Sequence, residues 1–487
     1  MRTAPHLAPA REQLAALRSK QLSSRELLEL LLKHHENTDP ALNAVVTLDA
    51  DHAREAAHKA DQHLARTGET LGALHGLPIT VKDAFETAHL RTTCGAPGLS
   101  DHVPARDADA VARLRAAGAV IFGKTNTPAY CQDIQTGNDL FGTTKNPFAA
   151  DRTAGGSSGG PAAAVAAGLS SLEVGSDLAG SLRLPAHYCG VYALRPTHGI
   201  VATRGHIPRP PGWITSGDML TPGPIARTAD DLGLLLDVLA GPAPTDAAAW
   251  RLDLPAPRHH RLGDYRVGVW ADDPYCHVDT ETGELIARVT ELLSDAGTRL
   301  DTTTRPVDFA ESDRLFQTLM YATATASATG DAFQGEVAAA AALADDDHSP
   351  GAFYLRARTQ RHRDWLLSNE RREKLVRQWD EYFTGHDVLI TPAAPTAAVP
   401  DQTSAPLPQR YITVDGEKRP YFDQTAWANL TSHVKLPAAV VPAGTTKAGL
   451  PLAVQVIGPR YADRTVLAVA THLSRLLPPV VAPALRD

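Results

Sequence analysis

The sequence of 487 residues is poor in cysteine and lacks the spacings that mark metal sites and disulfide frameworks. Its four cysteines are far apart along the chain, and no two of them form a C-x-x-C pair. Its 20 histidines include no H-E-x-x-H motif. The sequence therefore predicts no disulfide scaffold, no bound metal and no cofactor.

Long apolar segments and long runs of one charge are also absent. The amino terminus, MRTAPHLAPAREQL, has no apolar signal-peptide core, and no uninterrupted apolar run reaches the length of a membrane span. The net charge of −8 is not concentrated in a run of one sign. These features predict a protein of the reduced cytoplasm that binds neither membranes nor nucleic acid. A homodimer is compatible with the sequence, which does not determine the oligomeric state.

What the sequence does contain is a succession of helical and strand patterns, which favours an α/β fold. Leucines at near-helical spacing predict a helix over residues 11–36, which can restart at Ser23 because Glu26 completes a capping box. Residues 311–383 are predicted to be mostly helical, with a turn at 349–351, and the proline-rich residues 392–408 are predicted to form a surface loop. Strands are predicted at residues 77–81, 119–122, 265–270, 388–391, 438–441 and 452–457.

Two short motifs match known functional patterns, but the residues in or beside each motif do not favour the local structure that the pattern requires. Residues 118–125, GAVIFGKT, fit the Walker A pattern, whose loop turns N–H groups toward phosphate. Because the interior Ala-Val-Ile-Phe favours a buried strand, those N–H groups are expected to bond within a sheet instead. Residues 155–159, GGSSG, fit the nucleophile elbow G-x-S-x-G, but the residues before them are turn-rich and polar rather than a strand. Ser157 is therefore not predicted to be the nucleophile of an α/β-hydrolase.

The segment 155–183 carries the strongest chemical signal. It holds two serines beside small residues, Ser157 and Ser181, and the backbone N–H groups of residues 178–180 could converge on an oxyanion. No histidine is marked as a base. A lysine can replace it when it is a neutral amine, and Lys82 at the end of a predicted strand is a candidate. From the residues alone, the interpretation of Lys82 as a surface lysine paired with Asp83 is favoured over that of a base.

Ten ordered motifs resemble the amidase signature family and cover nearly the whole chain, with residues 245–385 matching least. They are GLPITVKD (76–83), GGSSGG (155–160), GSDLAGSLRLP (175–185), CGVYALRPTHG (189–199), TPGPIART (221–228), DVLITP (387–392), NLT (429–431), PAG (442–444), GLP (449–451) and QVIGPR (455–460).

The resemblance implies a fold, an activity and a set of site residues. The fold would be the amidase-signature α/β fold, a large twisted mixed β-sheet covered by helices on both faces. Residues 1–487 would form a single domain, with a variable, mostly helical region on the substrate side at about 245–385. The activity would be amide hydrolysis through an acyl-enzyme. The catalytic triad would be Lys82 as base, Ser157 as bridging serine after a cis peptide bond, and Ser181 as nucleophile.

Further residues follow from the same resemblance. The backbone N–H groups of Leu178, Ala179, Gly180 and Ser181 would form the oxyanion hole, and Asp177, Arg183 and Ser158 would support the site. Ala179 and Pro161 depart from the family's usual glycine and small residue, and neither change is expected to abolish activity.

The substrate and the rival functions are less well defined by the sequence. Leu182 and Leu184 near the nucleophile favour a small-molecule amide that is neutral, with an aryl or alkyl group. Specificity is expected to lie with residues 130–139, Trp213 and the helical stretch 311–383, which includes Phe316, Met320, Tyr321 and Trp365. The alternatives are a glutamyl-tRNA type amidotransferase subunit, an esterase or acyl transferase, and a non-catalytic binding subunit. The first is disfavoured because Leu184 stands where such subunits usually have glutamine.

Overall fold

The computed structural model describes residues 4–207 and 210–483, in which strands and helices alternate along most of the chain. The strands β1–β17 are, in order, Val45–Leu48, Pro78–Lys82, Val120–Thr125, Gly137–Asn138, Gly142–Thr143, Lys145–Asn146, Ala149–Thr153, Leu172–Asp177, Tyr192–Arg195, Thr221–Ala226, Arg266–Val269, Arg299–Asp301, Val388–Pro392, Tyr411–Val414, Glu417–Pro420, Ala438–Thr445 and Pro451–Ile457. The helices α1–α14 are, in order, Ala10–Arg18, Ser24–Leu42, Ala50–Thr67, Asp109–Ala116, Gly159–Ala166, Arg183–Cys189, Ala229–Leu239, Thr280–Asp295, Phe309–Ala324, Gly330–Ala341, Pro350–Arg358, His362–Gly385, Ala426–Ser432 and Asp463–Ser474.

The largest sheet has eight strands in the order β12-β11-β13-β17-β16-β9-β10-β8. Strands β12, β11 and β13 are parallel, and the remaining pairs are antiparallel, so the sheet is mixed. Strands on both sides of the region 245–385, such as β10 and β13, belong to this one sheet.

A second sheet, β1-β3-β2, lies beside β8. The Thr80 hydroxyl on β2 donates to Glu173 Oε1 on β8 at 2.6 Å, which joins the two strands side by side. Lys82 at the end of β2 therefore lies next to the end of β8, where the segment with the second candidate serine begins.

Helices cover both faces of the large sheet, as the resemblance implies. Successive residues of a strand point to opposite faces. Ala439 and Val441 on β16 pack in a core with α7 and α14, whereas Val440 between them packs in a second core with α5 and α6. The α/β architecture with a mixed sheet between helical layers is confirmed.

Several local predictions are also confirmed. The helical pattern of residues 11–36 divides into α1 and α2, and α2 begins with a capping box between Ser23 and Glu26. The Walker A match is β3, a buried strand that pairs with β1 and β2. Its N–H groups therefore belong to the sheet and form no phosphate cradle. None of the helices in the described ranges is long and apolar enough to span a membrane.

Three local predictions need correction. Residues 392–399 of the proline-rich segment are mostly buried rather than a surface loop, because Ala394 and Ala398 pack with Tyr188 and Tyr421. The predicted turn at 349–351 is the start of α11, whose first N–H groups are capped by Ser349. The G-x-S-x-G match does follow a strand, β7, but that strand lies outside the large sheet, in a two-stranded sheet with β6 and with an isolated bridge from Arg152 to Pro400.

Candidate active site

Lys82 is fully buried and bound by hydroxyl groups. Its side chain is 0% exposed. Its Nζ donates hydrogen bonds to three serine Oγ atoms, those of Ser157 at 2.7 Å, Ser158 at 3.0 Å and Ser176 at 3.1 Å. Asp83 does not pair with it, because the Asp83 carboxylate accepts the N–H and hydroxyl of Thr93 at 3.1 and 2.5 Å. The interpretation of Lys82 as a surface lysine paired with Asp83 is wrong.

Ser157 stands in a turn that only glycine can precede. The Gly156–Ser157 peptide bond is cis, as the resemblance implies. A Cβ on Gly156 would lie 2.7 Å from the backbone N of Gln135, so a larger residue would displace the neighbouring segment. The Thr127 hydroxyl donates to the Ser157 carbonyl at 2.9 Å and so holds the turn at its carboxyl end.

Ser181 lies between the end of β8 and the start of α6, and it is 8% exposed. Gly180 before it has a φ of +91°, and a Cβ there would lie 3.0 Å from the Cβ of Ala428. The turn that presents Ser181 therefore requires glycine. The Ser158 N–H donates to the Ser181 carbonyl at 3.1 Å, so the two serine segments are joined directly. The structure thus brings Lys82, Ser157, Ser158 and Ser181 together.

Asp177 organises the backbone around Ser181. Its carboxylate accepts the N–H groups of Gly180 at 2.9 Å and Leu182 at 3.1 Å, on either side of the serine. It also binds Arg183 through two hydrogen bonds of 2.9 Å and lies 3.4 Å from Arg195 Nε. Burial alone would raise the pKa of Asp177, but Arg183 and then Arg195 outweigh it and lower the pKa to about 2.

The oxyanion prediction is narrowed by this arrangement. The Gly180 N–H donates to the Asp177 carboxylate and is therefore not free to bind an oxyanion. This corrects the prediction that Gly180 belongs to the oxyanion hole. No residue in 4–207 or 210–483 accepts a hydrogen bond from the N–H groups of Leu178, Ala179 or Ser181. Those three groups are the ones available to a developing oxyanion.

Leu182 and Leu184 do not shape the substrate site. Both are 0% exposed, and they pack into two different apolar cores. The expectation that they favour a neutral substrate by lying beside it is wrong, since neither side chain is accessible.

Leu178 and Ala179 are the partly exposed apolar residues next to Ser181. They pack against the same aromatic-rich core as Met320 on α9 and Trp365 on α12, which are also partly buried. Phe316, another predicted specificity residue, is 1% exposed and belongs to that core. Two of the predicted specificity residues therefore share a core with the residues beside Ser181, and Phe316 is buried inside that core.

Three neighbours of the site were missed by sequence reasoning. Ser176 binds Lys82, Arg195 binds Asp177, and Cys131 contacts the Thr127 hydroxyl that donates to the Ser157 carbonyl. Ser176 and Arg195 lie inside motifs that carry the family resemblance, which was the signal available for them. No sequence pattern pointed to Cys131.

Comparison with known proteins agrees with the fold. The model of the Amidase family matches residues 26–467. The chain is 33% identical to a glutamyl-tRNA(Gln) amidotransferase chain of Synechococcus sp. (strain CC9605), over 93% of each chain. It is similar to a solved bacterial aryl acylamidase of the amidase signature family, with a TM-score of 0.80, 27% identity, and 97% of this chain and 96% of that one covered. It is also similar to 6-aminohexanoate cyclic dimer hydrolase, with a TM-score of 0.78, 25% identity and 99% of each chain covered. The chain therefore belongs to the Amidase family and is an amide-hydrolysing enzyme.

Proposed function

We propose that the protein is a free-standing amidase in which Ser181 is the nucleophile, Ser157 relays its proton and Lys82 is the base. The observation that carries the proposal is the 2.7 Å hydrogen bond between Lys82 Nζ and Ser157 Oγ, made by a fully buried amine. Its other two acceptors are also hydroxyl groups. An ammonium at Nζ donates to all three hydroxyl groups, whereas the neutral amine donates to two of them and accepts the Ser157 O–H. A hydroxyl, unlike a carboxylate, can both accept and donate, so it allows Lys82 to exchange a proton with Ser157.

The first half of the reaction forms the acyl-enzyme. The Ser181 proton passes to Ser157 Oγ while the Ser157 proton passes to the neutral Lys82 amine. Ser181 Oγ then bonds to the amide carbonyl carbon, and the carbonyl electron pair moves to oxygen. The N–H groups of Leu178, Ala179 and Ser181 would stabilise that oxyanion.

The second half releases both products. Lys82 returns its proton through Ser157 to the leaving nitrogen, because an amide does not expel an unprotonated amine anion. The C–N bond breaks, and ammonia or an amine departs. Water then attacks the acyl group while the same relay removes its proton, which yields a carboxylate and restores Ser181.

The substrate class follows from the accessible surface beside Ser181. Leu178 and Ala179 there are apolar, and the partly buried Met320 and Trp365 pack against the same core. This surface supports a neutral amide with an aryl or alkyl group, and the likeness to an aryl acylamidase agrees with it. A cytoplasmic location and a homodimer remain predictions.

The proposal is tested with a panel of aliphatic, aryl, fatty-acyl and peptide amides, assayed with the wild type and Ser181→Ala. The variant should lose all turnover and all labelling by a fluorophosphonate probe. Ser171→Ala is the matched control, because Ser171 is also buried and its hydroxyl has no hydrogen-bond partner in the described chain. Labelling of Ser181→Ala at the wild-type rate would overturn the assignment.

The same experiment separates the other chemistries. Ester cleavage or acyl transfer without amide turnover would show that the leaving group or the acceptor differs while Ser181 still forms the acyl-enzyme. An unlabelled wild type would point to a non-catalytic binding protein.

A glutamine-dependent amidotransferase subunit is the second candidate, because curated relatives with about the same length carry that name. The buried, apolar surroundings of Leu184 count against a glutamine there, since a polar side chain would meet Ile134, Tyr188 and Ala394. Glutamine-dependent release of ammonia together with co-purification of a partner protein would reverse the order of the two candidates.

A further inference from the structure

Two of the four free cysteines meet beside the candidate triad. The Sγ atoms of Cys94 and Cys131 lie 3.6 Å apart without a bond. The backbone holds them there, because the Tyr130 N–H donates to the Cys94 carbonyl at 2.9 Å and the Cys94 N–H donates to the Asp83 carbonyl at 2.9 Å. Cys94 is fully buried, and Cys131 is partly exposed.

This cysteine pair lies one contact away from the proton relay. The Thr127 hydroxyl is 3.3 Å from Cys131 Sγ and 2.9 Å from the carbonyl oxygen of Ser157, to which it donates. A chemical change at Cys131 therefore reaches Ser157 through Thr127.

The two thiols differ in reactivity. Burial would raise the pKa of Cys131, but the Cys94 S–H, Lys82 in its ammonium form and the Thr127 hydroxyl outweigh it and lower the pKa to about 5. Burial raises the pKa of Cys94. Cys131 is thus the thiolate that an oxidant attacks, and Cys94 is a thiol held in contact with it.

We propose that Cys131 is an oxidation site for small peroxides, that Cys94 resolves it to a disulfide, and that the oxidised pair inactivates the enzyme. The inactivation rests on the proposed function, since it acts through Ser157. The partly exposed Cys131 provides the entry point, and the contact of 3.6 Å between the sulfurs provides the resolving partner.

The redox step balances with hydrogen peroxide as the oxidant. The Cys131 thiolate attacks one peroxide oxygen, the O–O bond breaks, and water leaves after the second oxygen takes up a proton, which gives a sulfenic acid. The Cys94 sulfur then attacks the Cys131 sulfur, the S–O bond breaks, and a second water leaves. Two thiols lose two electrons in total, and one peroxide is reduced to two waters.

The disulfide changes the surroundings of Ser157. A disulfide bond is about 2.05 Å long, so the sulfurs must approach each other by roughly 1.5 Å from their contact of 3.6 Å. Because Cys94 is packed in a buried core, the movement falls mainly on Cys131. Cys131 then moves away from the Thr127 hydroxyl, which holds the Ser157 carbonyl, and the bridging serine loses its alignment with Lys82.

The test treats the purified full-length enzyme with hydrogen peroxide and follows amidase activity and mass together. The wild type should lose most of its activity and about 2 Da, as two thiol hydrogens are removed. Proteolysis should then yield a linked peptide with Cys94 and Cys131, and dithiothreitol should reverse both changes. Cys276→Ala is the matched control, since Cys276 is a buried cysteine outside the pair, and it should behave as the wild type.

Two variants separate the roles of the thiols. Cys131→Ala should keep its activity in peroxide, whereas Cys94→Ala should form a sulfenic acid and no linked peptide. Dimedone should trap that sulfenic acid, and dithiothreitol should restore activity only when dimedone is left out. A peroxide-treated wild type that keeps all its thiols would overturn the proposal, and so would a Cys131→Ala variant as sensitive as the wild type. A linked peptide with undiminished activity would overturn the inactivation. The mass measurement decides the oxidation even if no amide is hydrolysed, so failure of the proposed function remains distinguishable.

Discussion

Two buried clusters of charged side chains flank the candidate triad, and they are built in opposite ways. The nucleophile cluster, Asp177 with Arg183 and Arg195, lies under the turn that presents Ser181 and has one carboxylate between two guanidinium groups. The strand cluster consists of Asp83, Lys124 and Glu173 around the strand that ends in Lys82. All six side chains are 0% exposed.

The two clusters differ in how far hydrogen bonds and opposite charges compensate for the burial of each ionised group. Asp177 accepts two N–H groups and two hydrogen bonds from Arg183, and the pKa of Asp177 is lowered to about 2. In the strand cluster, burial shifts the pKa values more than the neighbouring charges and hydrogen bonds do. It raises the pKa of Asp83, raises that of Glu173 to about 7 and lowers that of Lys124 to about 8. One cluster is a fixed ion pair that shapes a loop, and the other changes protonation near neutral pH.

The substitution Asp177→Asn tests the contrast between the two clusters with the largest expected effect. The substitution leaves two buried guanidinium groups without a counter-charge and should lower the free energy of unfolding by about 3–5 kcal/mol. The turn around Ser181 loses its anchor, so kcat should fall by about a hundredfold. Urea unfolding and steady-state kinetics measure the two effects. Asp264→Asn, which breaks the exposed Arg261–Asp264 pair, is the control and should cost less than about 1 kcal/mol.

The next largest effect is a pH dependence of stability that arises from Glu173. Its ordinary pKa is 4.5, and in the folded protein it is about 7 because burial disfavours the carboxylate. Between these values the unfolded chain has lost the proton and the native state has kept it. The free energy of unfolding should therefore fall as pH rises through this window, by about 3 kcal/mol in total.

Glu173→Gln isolates that contribution, because glutamine resembles the protonated acid. Urea unfolding at about pH 5 and about pH 8 should show a smaller difference in the variant than in the wild type. The same pH difference in both proteins would mean that Glu173 is ionised throughout, and the contrast between the clusters would fail.

Asp83→Asn should have a smaller effect than Asp177→Asn although both residues are buried. Asp83 Oδ1 has no hydrogen-bond partner in the described chain, while Oδ2 accepts from Thr93. Asparagine keeps the contact with Thr93 and places its amide N–H₂ where the described chain offers no acceptor. The unpaired amide should lower the free energy of unfolding by about 1–3 kcal/mol. Equal losses for the two variants in urea unfolding would contradict the comparison.

Much of the fold was predictable because apolar strands and capped helices are local signals. The strand patterns at 77–81 and 438–441 and the capping box at Ser23 need only neighbouring residues. The buried proline-rich segment was not predictable, since its burial depends on Tyr188 and Tyr421 packing over Ala394 and Ala398. The amino-acid composition of this segment, taken alone, resembles that of a surface loop.

The site was predictable only in part. Ser157 and Ser181 stand out by their small neighbours, but Lys82 became convincing only through the family resemblance. The engagement of the Gly180 N–H depends on where the Asp177 carboxylate points, and the contact of Cys94 with Cys131 joins residues 37 positions apart. Such contacts are set by tertiary packing, which a local pattern does not record.

The smallest effect, and the finest test of the comparison, comes from Ser176, which lies between Lys82 and the nucleophile cluster. It precedes Asp177 in the chain, and its hydroxyl accepts a hydrogen bond from Lys82 Nζ at 3.1 Å. Ser176→Ala removes one of three acceptors and should cost about 1 kcal/mol of stability.

A double-mutant cycle of Ser176→Ala with Asp83→Asn then measures whether the clusters are coupled. If the strand cluster acts on the triad only by holding β2 in place, the two losses in the free energy of unfolding should add within about 0.5 kcal/mol. A larger interaction energy would mean that the protonation of Asp83 is felt at Lys82. The base and the nucleophile loop would then respond to pH as one unit, because Ser176 binds the former and precedes the anchor of the latter.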